Sequence, residues 1–193
     1  MEGIALHPVI TSREAILEAS RRLIREQGWQ ALSIRSVAAA CGVSVGSIYN
    51  YFDNKSELIA ATVQSVWFEI FHLPCPPSGN MPDFVHCIAQ LYDRVERGAR
   101  TYPGFFALHA VSFCAKDTDK GRQLMHKVWH HIQDNLHTVL LHDTAVRPDA
   151  FDAQFTSELF VQLIFSLILS AVMQQNYDCT AVLEVVHRTL YRP

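Results

Sequence analysis

Apolar residues recur along this chain at the three-to-four-residue spacing of an amphipathic helix, and no alternating strand pattern competes with it. Ile16, Leu17, Leu23 and Ile24 form the first such face. Thr11 or Ser12 can cap this helix, and Thr11 with Glu14 has capping-box spacing. Gly28 is the expected stop, where a left-handed cap favours a residue without Cβ. Ser33 then heads a short helix whose core face is Ile34, Val37, Ala38 and Cys41, with Gly42 to close it. The alanines from Ala38 to Ala40 allow close helix packing. Ser44 heads a third, shorter helix anchored from behind by Ile48, Tyr51 and Phe52. Asn54 caps a fourth, with Glu57 three residues on. That helix is expected to reach Leu73, where Pro74-Cys75-Pro76-Pro77 must break it.

The rest of the chain reads the same way. Asp83 to Tyr102 is amphipathic through Phe84, Ile88, Leu91, Tyr92 and Val95, and Pro103-Gly104 interrupts it. Phe105 to Ala115 is apolar on nearly every side and is expected at the centre of a core. Thr118 to His142 carries Leu124, Val128, Ile132, Leu136, Val139 and Leu140 at helical spacing. Helices over Phe151 to Tyr177 and Thr180 to Tyr191 complete an all-α chain with no internal repeat. The expected architecture is an N-terminal three-helix helix-turn-helix domain, residues 1–62, followed by a C-terminal helical bundle, residues 63–193. Their boundary falls inside the fourth helix, near Ala60 to Gln64, so one rigid element belongs to both.

A hydrophobic content of 49% argues for a packed core, and a net charge of −3 argues against bulk-charge binding of nucleic acid. From Ser33 to Lys55, Arg35 and Lys55 stand against Asp53, a local charge of only +1. Specific contacts and helix N-termini must then carry more of any phosphate binding. The five cysteines are Cys41, Cys75, Cys87, Cys114 and Cys179, an odd number without a CxxC pair. Met1 to Ile10 contains no Lys, no Arg and no long apolar run, so no secretory leader is expected. A reducing cytoplasm with mostly buried thiols fits, and a redox-sensing thiol is the alternative.

Gly42-Val43-Ser44, Ile48-Tyr49-Asn50-Tyr51-Phe52 and Asn54-Lys55-Ser56-Glu57-Leu58 occur in the order turn, aromatic pair, lysine cap. In this, Ser12 to Val63 closely resembles the N-terminal domain of the tetracycline-repressor (TetR/AcrR) family of bacterial transcriptional regulators. The resemblance implies a repressor that binds a pseudo-palindromic stretch of double-stranded operator DNA as a homodimer and is released by a small-molecule effector. By its side-chain pattern the third helix turns Val45, Gly46, Ser47 and Asn50 outward. Asn50 can pair bidentately with adenine, and Val45 can meet a thymine methyl. Gly46 allows close backbone approach, and Tyr51 is better placed for phosphates than for bases. By resemblance, Tyr49 and Lys55 clamp the DNA backbone, with contributions from Ser33, Arg35 and Ser44. The chain departs from the family at Val45, where many members carry lysine. A capped helix pair inside an ordinary helical core is the plainer reading, but it leaves the exposed aromatics, Gly46 and Lys55 unexplained together.

The resemblance also places an effector pocket among the middle helices. Trp67, Phe68, Phe71, Tyr92, Phe105 and Phe106 are candidates from the first half. His109, Phe113, Trp129 and Phe165 are the others, with His109 as the polar handle. Aromatics at this spacing also serve as plain core. From Leu159 to Tyr177 no residue is charged, a length that could span a membrane. Gln162, Ser166, Ser170 and Gln174 nevertheless form one polar stripe, and no basic cluster flanks the segment. A subunit interface is the better reading. The family's four-helix dimer bundle is compatible with that stripe and with Val182, Leu183, Val186 and Leu190.

His126, His130 and Asp134 share one helix face, with His137 nearby. A solvated face explains them more simply than a metal, and neither metal nor cofactor is expected. The chain has no GxSxG, no Gly-rich phosphate loop and no HExxH, so no enzyme activity is expected. A helical adaptor that keeps the fold without reading DNA is the remaining alternative, favoured by Val45 and the thin charge.

Overall fold

The serines and glycines that punctuate the sequence do so in three dimensions as well. In the computed structural model, which describes residues 11–72, 83–106 and 119–192, all regular structure among the described residues is helical. Ser12, not Thr11, caps α1 (Arg13–Gln27), its hydroxyl accepting the Ala15 N–H at 3.1 Å. Gly28 ends α1 with φ +79° and ψ 174°, an extended left-handed conformation rather than a left-handed helical one. A 3-10 turn, Trp29–Ala31, leads to α2 (Ile34–Cys41). Ser33 and Ser36 cap α2 reciprocally, and Gly42 closes it in the left-handed helical region. Next come α3 (Val45–Tyr49) and α4 (Lys55–Phe71). Asn54 caps α4 by accepting the Glu57 N–H at 3.0 Å, while the Glu57 carboxylate accepts the Asp53 N–H at 2.7 Å.

The chain divides into two compact units, one ending at Val66 and the other beginning at Trp67. The division falls within α4. In the first unit Ile16, Leu17, Leu23, Ile24, Val37, Ala38, Ile48 and Phe52 are all buried. Cys41 is only half-buried, and Tyr51 is exposed rather than an anchor.

The second unit contains α5 (Phe84–Thr101), α6 (Asp119–His142), α7 (Ser157–Gln174) and α8 (Thr180–Leu190). α6 packs on α7, and α5 packs on α8 and α6. Phe105 and Phe106 are buried as expected, while the remainder of that apolar segment lies outside the described residues. α7 starts six residues later than the apolar pattern suggests. The Asp152 carboxylate accepts the N–H groups of Gln154 and Phe155, which closes a turn, and Thr156 then caps the helix. Val186 and Leu190 of α8 are fully buried within their own unit, so they do not offer a face to a partner. Val182 and Leu183 are half-buried, while Ala181 and Val185 are exposed.

Three groups secure the last turn of α4 against α5. Arg94 donates to the Ile70 carbonyl at 3.1 Å and to the Glu69 carbonyl at 2.9 Å. These are C-terminal carbonyls with no partner inside their own helix. The Tyr102 hydroxyl donates to the Glu69 carboxylate at 2.9–3.0 Å. At Gly98 a Cβ would lie 2.6 Å from Ile70 Cγ1, so only glycine permits this approach. Gly98→Ala is therefore expected to destabilise the protein by roughly 1–3 kcal/mol through overpacking, read from the denaturant midpoint. An unchanged midpoint would mean that Ile70 yields without cost.

Candidate nucleic-acid interface and effector site

α3 is short, and two residues fix how it is presented. Ile48 is fully buried beneath it, and Phe52, which follows it, is 1% exposed. Arg13 of α1 lies over the Phe52 ring, 5.2 Å from its centre. With those two inside, Val45 (39% exposed), Gly46, Tyr49 (51% exposed) and Asn50 are left facing outward. Asn50 is the C-cap residue of α3, still in right-handed helical geometry. Arg35 and Lys55 are exposed, and neither makes an ion pair among the described residues.

Other candidates are more committed. Ser44 caps α3, accepting the Ser47 N–H at 3.1 Å, and the two hydroxyls lie 2.9 Å apart. Ser47 is half-buried rather than fully outward. The Ser33 hydroxyl is engaged with the Ser36 N–H and hydroxyl. The Tyr51 hydroxyl donates to the Thr11 carbonyl at 2.6 Å, so its proton is not available to a phosphate. Tyr51 thus pins the start of α1, and Tyr49 is the freer of the two tyrosines.

The arginines of α1 also divide. Arg21 pairs with Glu14 at 2.9 Å and Glu18 at 2.6 Å, and Arg25 pairs with Glu18 at 2.9 Å. Burial alone would raise the Glu18 pKa, but hydrogen bonds from Arg21 and Arg25 outweigh it and hold the carboxyl below its usual value. These arginines are occupied, and Arg22 reaches the Ala40 carbonyl at 3.3 Å.

In the second unit the aromatic candidates form one run of ring contacts. Trp67 stacks on Phe71 at 5.0 Å and meets Phe105 and Phe106 at 5.6 Å each. Phe71 reaches Phe165 at 6.3 Å, and Phe165 reaches Trp129 at 6.2 Å. Helices α4, α6 and α7 all contribute. Tyr92 is buried on α5, and burial, with Cys179 nearby, pushes its hydroxyl pKa up to about 12. Phe68 is exposed instead, its ring edge-on to His131 at 5.4 Å, so it does not belong to this run. His109 and Phe113 lie outside the described residues.

His126, His130 and Asp134 are all exposed on α6, and no group of metal-ligand type is found among the described residues. Burial raises the thiol pKa of Cys41, of Cys179, and of Cys87, the last to about 12. All three described cysteines are therefore held as thiols, the less reactive form. Cys75 and Cys114 lie outside the described residues.

The sequence pattern did not anticipate the clamp made by Arg94, Tyr102 and Gly98. Its one visible trace is an isolated glycine inside a helical pattern.

A buried inner face, an outward face of small and polar residues, and a capped supporting helix define a helix-turn-helix fold of the DNA-binding class. Residues 16–62 match the family described as bacterial regulatory proteins, tetR family. Over this segment the chain is similar to the tetR family. The curated relatives include the HTH-type transcriptional repressor AcnR of Corynebacterium efficiens, 36% identical over 52 residues, which are 27% of this chain and 28% of that one. The matched stretch spans about a third or less of such relatives' length. The likeness in fold extends further. The transcriptional regulator SCO7518 from Streptomyces coelicolor A3(2) superposes with a TM-score of 0.64 at 18% identity, over 92% of this chain and 97% of that one. The multidrug binding protein EbrR, solved with imidazole, gives 0.59 at 18% identity, over 95% and 97%.

Proposed function

We propose that this protein is a cytoplasmic, ligand-responsive transcriptional repressor that binds a pseudo-palindromic operator as a homodimer. Residues 1–62 read DNA, and residues 63–193 sense the effector and dimerise. The observation that carries this reading is the outward face of α3: Val45, Gly46, Tyr49 and Asn50 stand clear, with Lys55 exposed at the start of α4. Asn50 reads a base, Tyr49, Arg35 and Lys55 hold phosphates, and the capping serines Ser33 and Ser44 add weaker contacts.

Release follows from α4. Trp67 and Phe71 near its C-terminal end belong to the aromatic run, and Lys55 begins its N-terminal end. An apolar effector among those rings shifts α4, and with it the separation of the two recognition helices in the dimer. Half-sites must sit about 34–36 Å apart, or a multiple of it, so a small shift suffices. AcnR's description as a repressor and EbrR's as a multidrug binding protein support the two halves of this reading.

Lys55→Ala and Asn50→Ala test it together. Lys55→Ala should weaken binding to every duplex and flatten the salt dependence by about one unit of slope. Asn50→Ala should lose discrimination at particular base pairs, by roughly 1–3 kcal/mol. A uniform loss in both variants would remove Asn50 as a base reader. The exposed, uncharged Val45 favours a second reading, an adaptor that keeps the fold without reading sequence. Equal affinity for operator and scrambled DNA is its signature.

A further inference from the structure

A buried indole N–H is a donor with no acceptor capacity of its own, so folded proteins give it a partner. Trp67 is 0% exposed, and its Nε1 has no hydrogen-bond partner among the described residues. Trp129, at the other end of the same run of rings, is half-buried, and its Nε1 is equally covered and unpartnered among the described residues. Leaving two donors unsatisfied in one aromatic cluster is costly unless something else meets them. From Trp67 the rings pass through Phe71 and Phe165 to Trp129, so both indoles belong to one apolar cluster contributed by α4, α6 and α7.

The surrounding charges narrow the choice. Among the described residues of this unit no charged side chain is buried. Glu69 accepts from Tyr102, and Arg94 donates to two carbonyls of α4. His126 lies edge-on to Trp129 at 6.2 Å but is itself exposed. An anionic ligand would find no buried cation among these groups, and an ammonium would present donors to donors.

Resting on the effector-binding reading above, we infer that the effector is a neutral, lipophilic molecule bearing a hydrogen-bond acceptor, a ketone, quinone or amide carbonyl, which the Trp67 or Trp129 indole N–H receives. The apolar rings supply affinity, and the indoles supply selection. His109 is then not required as the handle.

A matched tricyclic set tests this on the full chain: fluorene, fluorenone and fluorene-9-carboxylate. Affinity is read by calorimetry, and the three tryptophan indole signals by 1H–15N NMR, assigned with Trp→Phe variants. Fluorenone should bind on the order of tenfold tighter than fluorene, the worth of one net hydrogen bond. The carboxylate should bind more weakly than fluorenone. The Trp67 or Trp129 indole signal should move downfield while that of Trp29, in the other unit, stays. Trp67→Phe or Trp129→Phe should bring the ketone preference towards one. Equal affinity for fluorenone and fluorene with unmoved indole signals would overturn the handle and leave the apolar pocket standing. Tightest binding by the carboxylate would overturn the neutral class. If no member of the set binds, the apolar effector site falls, and this inference with it.

Discussion

Ser170→Arg is expected to convert the protein to monomer or aggregate and to abolish operator binding while the first unit stays folded. The reason lies in the exposed face of α7. Leu159 (47% exposed), Leu163 (44%) and Met173 (63%) stand in line with Ser166 and Ser170, at alternating spacings of four and three residues. That is the seam of a packed helix pair. By length and composition alone α7 could cross a membrane, and 33% of it is buried in its own chain. An apolar face of this length needs cover, and in the proposed homodimer a second copy would provide it, with an interface in the obligate class of roughly 2,000 Å² or more. The two serines permit close crossing. The Ser166 hydroxyl donates to the Gln162 carbonyl, and the Ser170 hydroxyl accepts from the Gln174 amide. The Ser166 hydroxyl therefore brings little unmet polarity to the contact. An arginine there would bury an uncompensated charge, a loss of roughly 3–5 kcal/mol. Light scattering and gel shift decide the matter. A dimeric, DNA-competent Ser170→Arg protein would place the dimer axis elsewhere.

Phe52→Ala should produce the complementary failure, an unfolded first unit on a chain that still dimerises. Phe52 is 1% exposed and holds the residues after α3 against the unit's core. Removing a buried aromatic ring costs roughly 3–5 kcal/mol, and Arg13 loses its partner as well. A unit of this size has little stability to spare. Operator affinity should vanish in gel shift, a low-temperature unfolding step should appear by circular dichroism, and the light-scattering mass should not change. Intact operator binding by Phe52→Ala would mean that α3 is held by Ile48 alone.

These two variants rest on parts of the chain that differ in how openly the sequence displays them. Capping is local chemistry, so Ser33, Gly42, Ser44 and Asn54 mark α2, α3 and α4 by residue type alone. The outward face of α3 follows once Ile48 and Phe52 are placed inside. Other roles depend on contacts distant in sequence. The Tyr51 hydroxyl is consumed by Thr11, forty residues away. Arg21 is held by Glu14, seven residues away, as well as by Glu18. The Arg94 clamp on α4 leaves no periodic trace, because a side chain reaching a neighbouring helix's carbonyls has no sequence spacing. Phe151 and Phe155 extend the apolar pattern ahead of α7, but the Asp152 turn decides the backbone and the helix starts at Ser157. The unpartnered indoles are invisible in sequence, since satisfaction of a buried donor is a property of packing.

The central claim is that the α3 face reads DNA sequence. Its most direct test is the affinity of the purified protein for a palindromic duplex from its own promoter against a scrambled duplex, at about 0.15 M salt. A preference on the order of a thousandfold or more for the palindrome is expected. Equal affinity for the two duplexes would contradict it and leave a helix-turn-helix fold that no longer reads sequence.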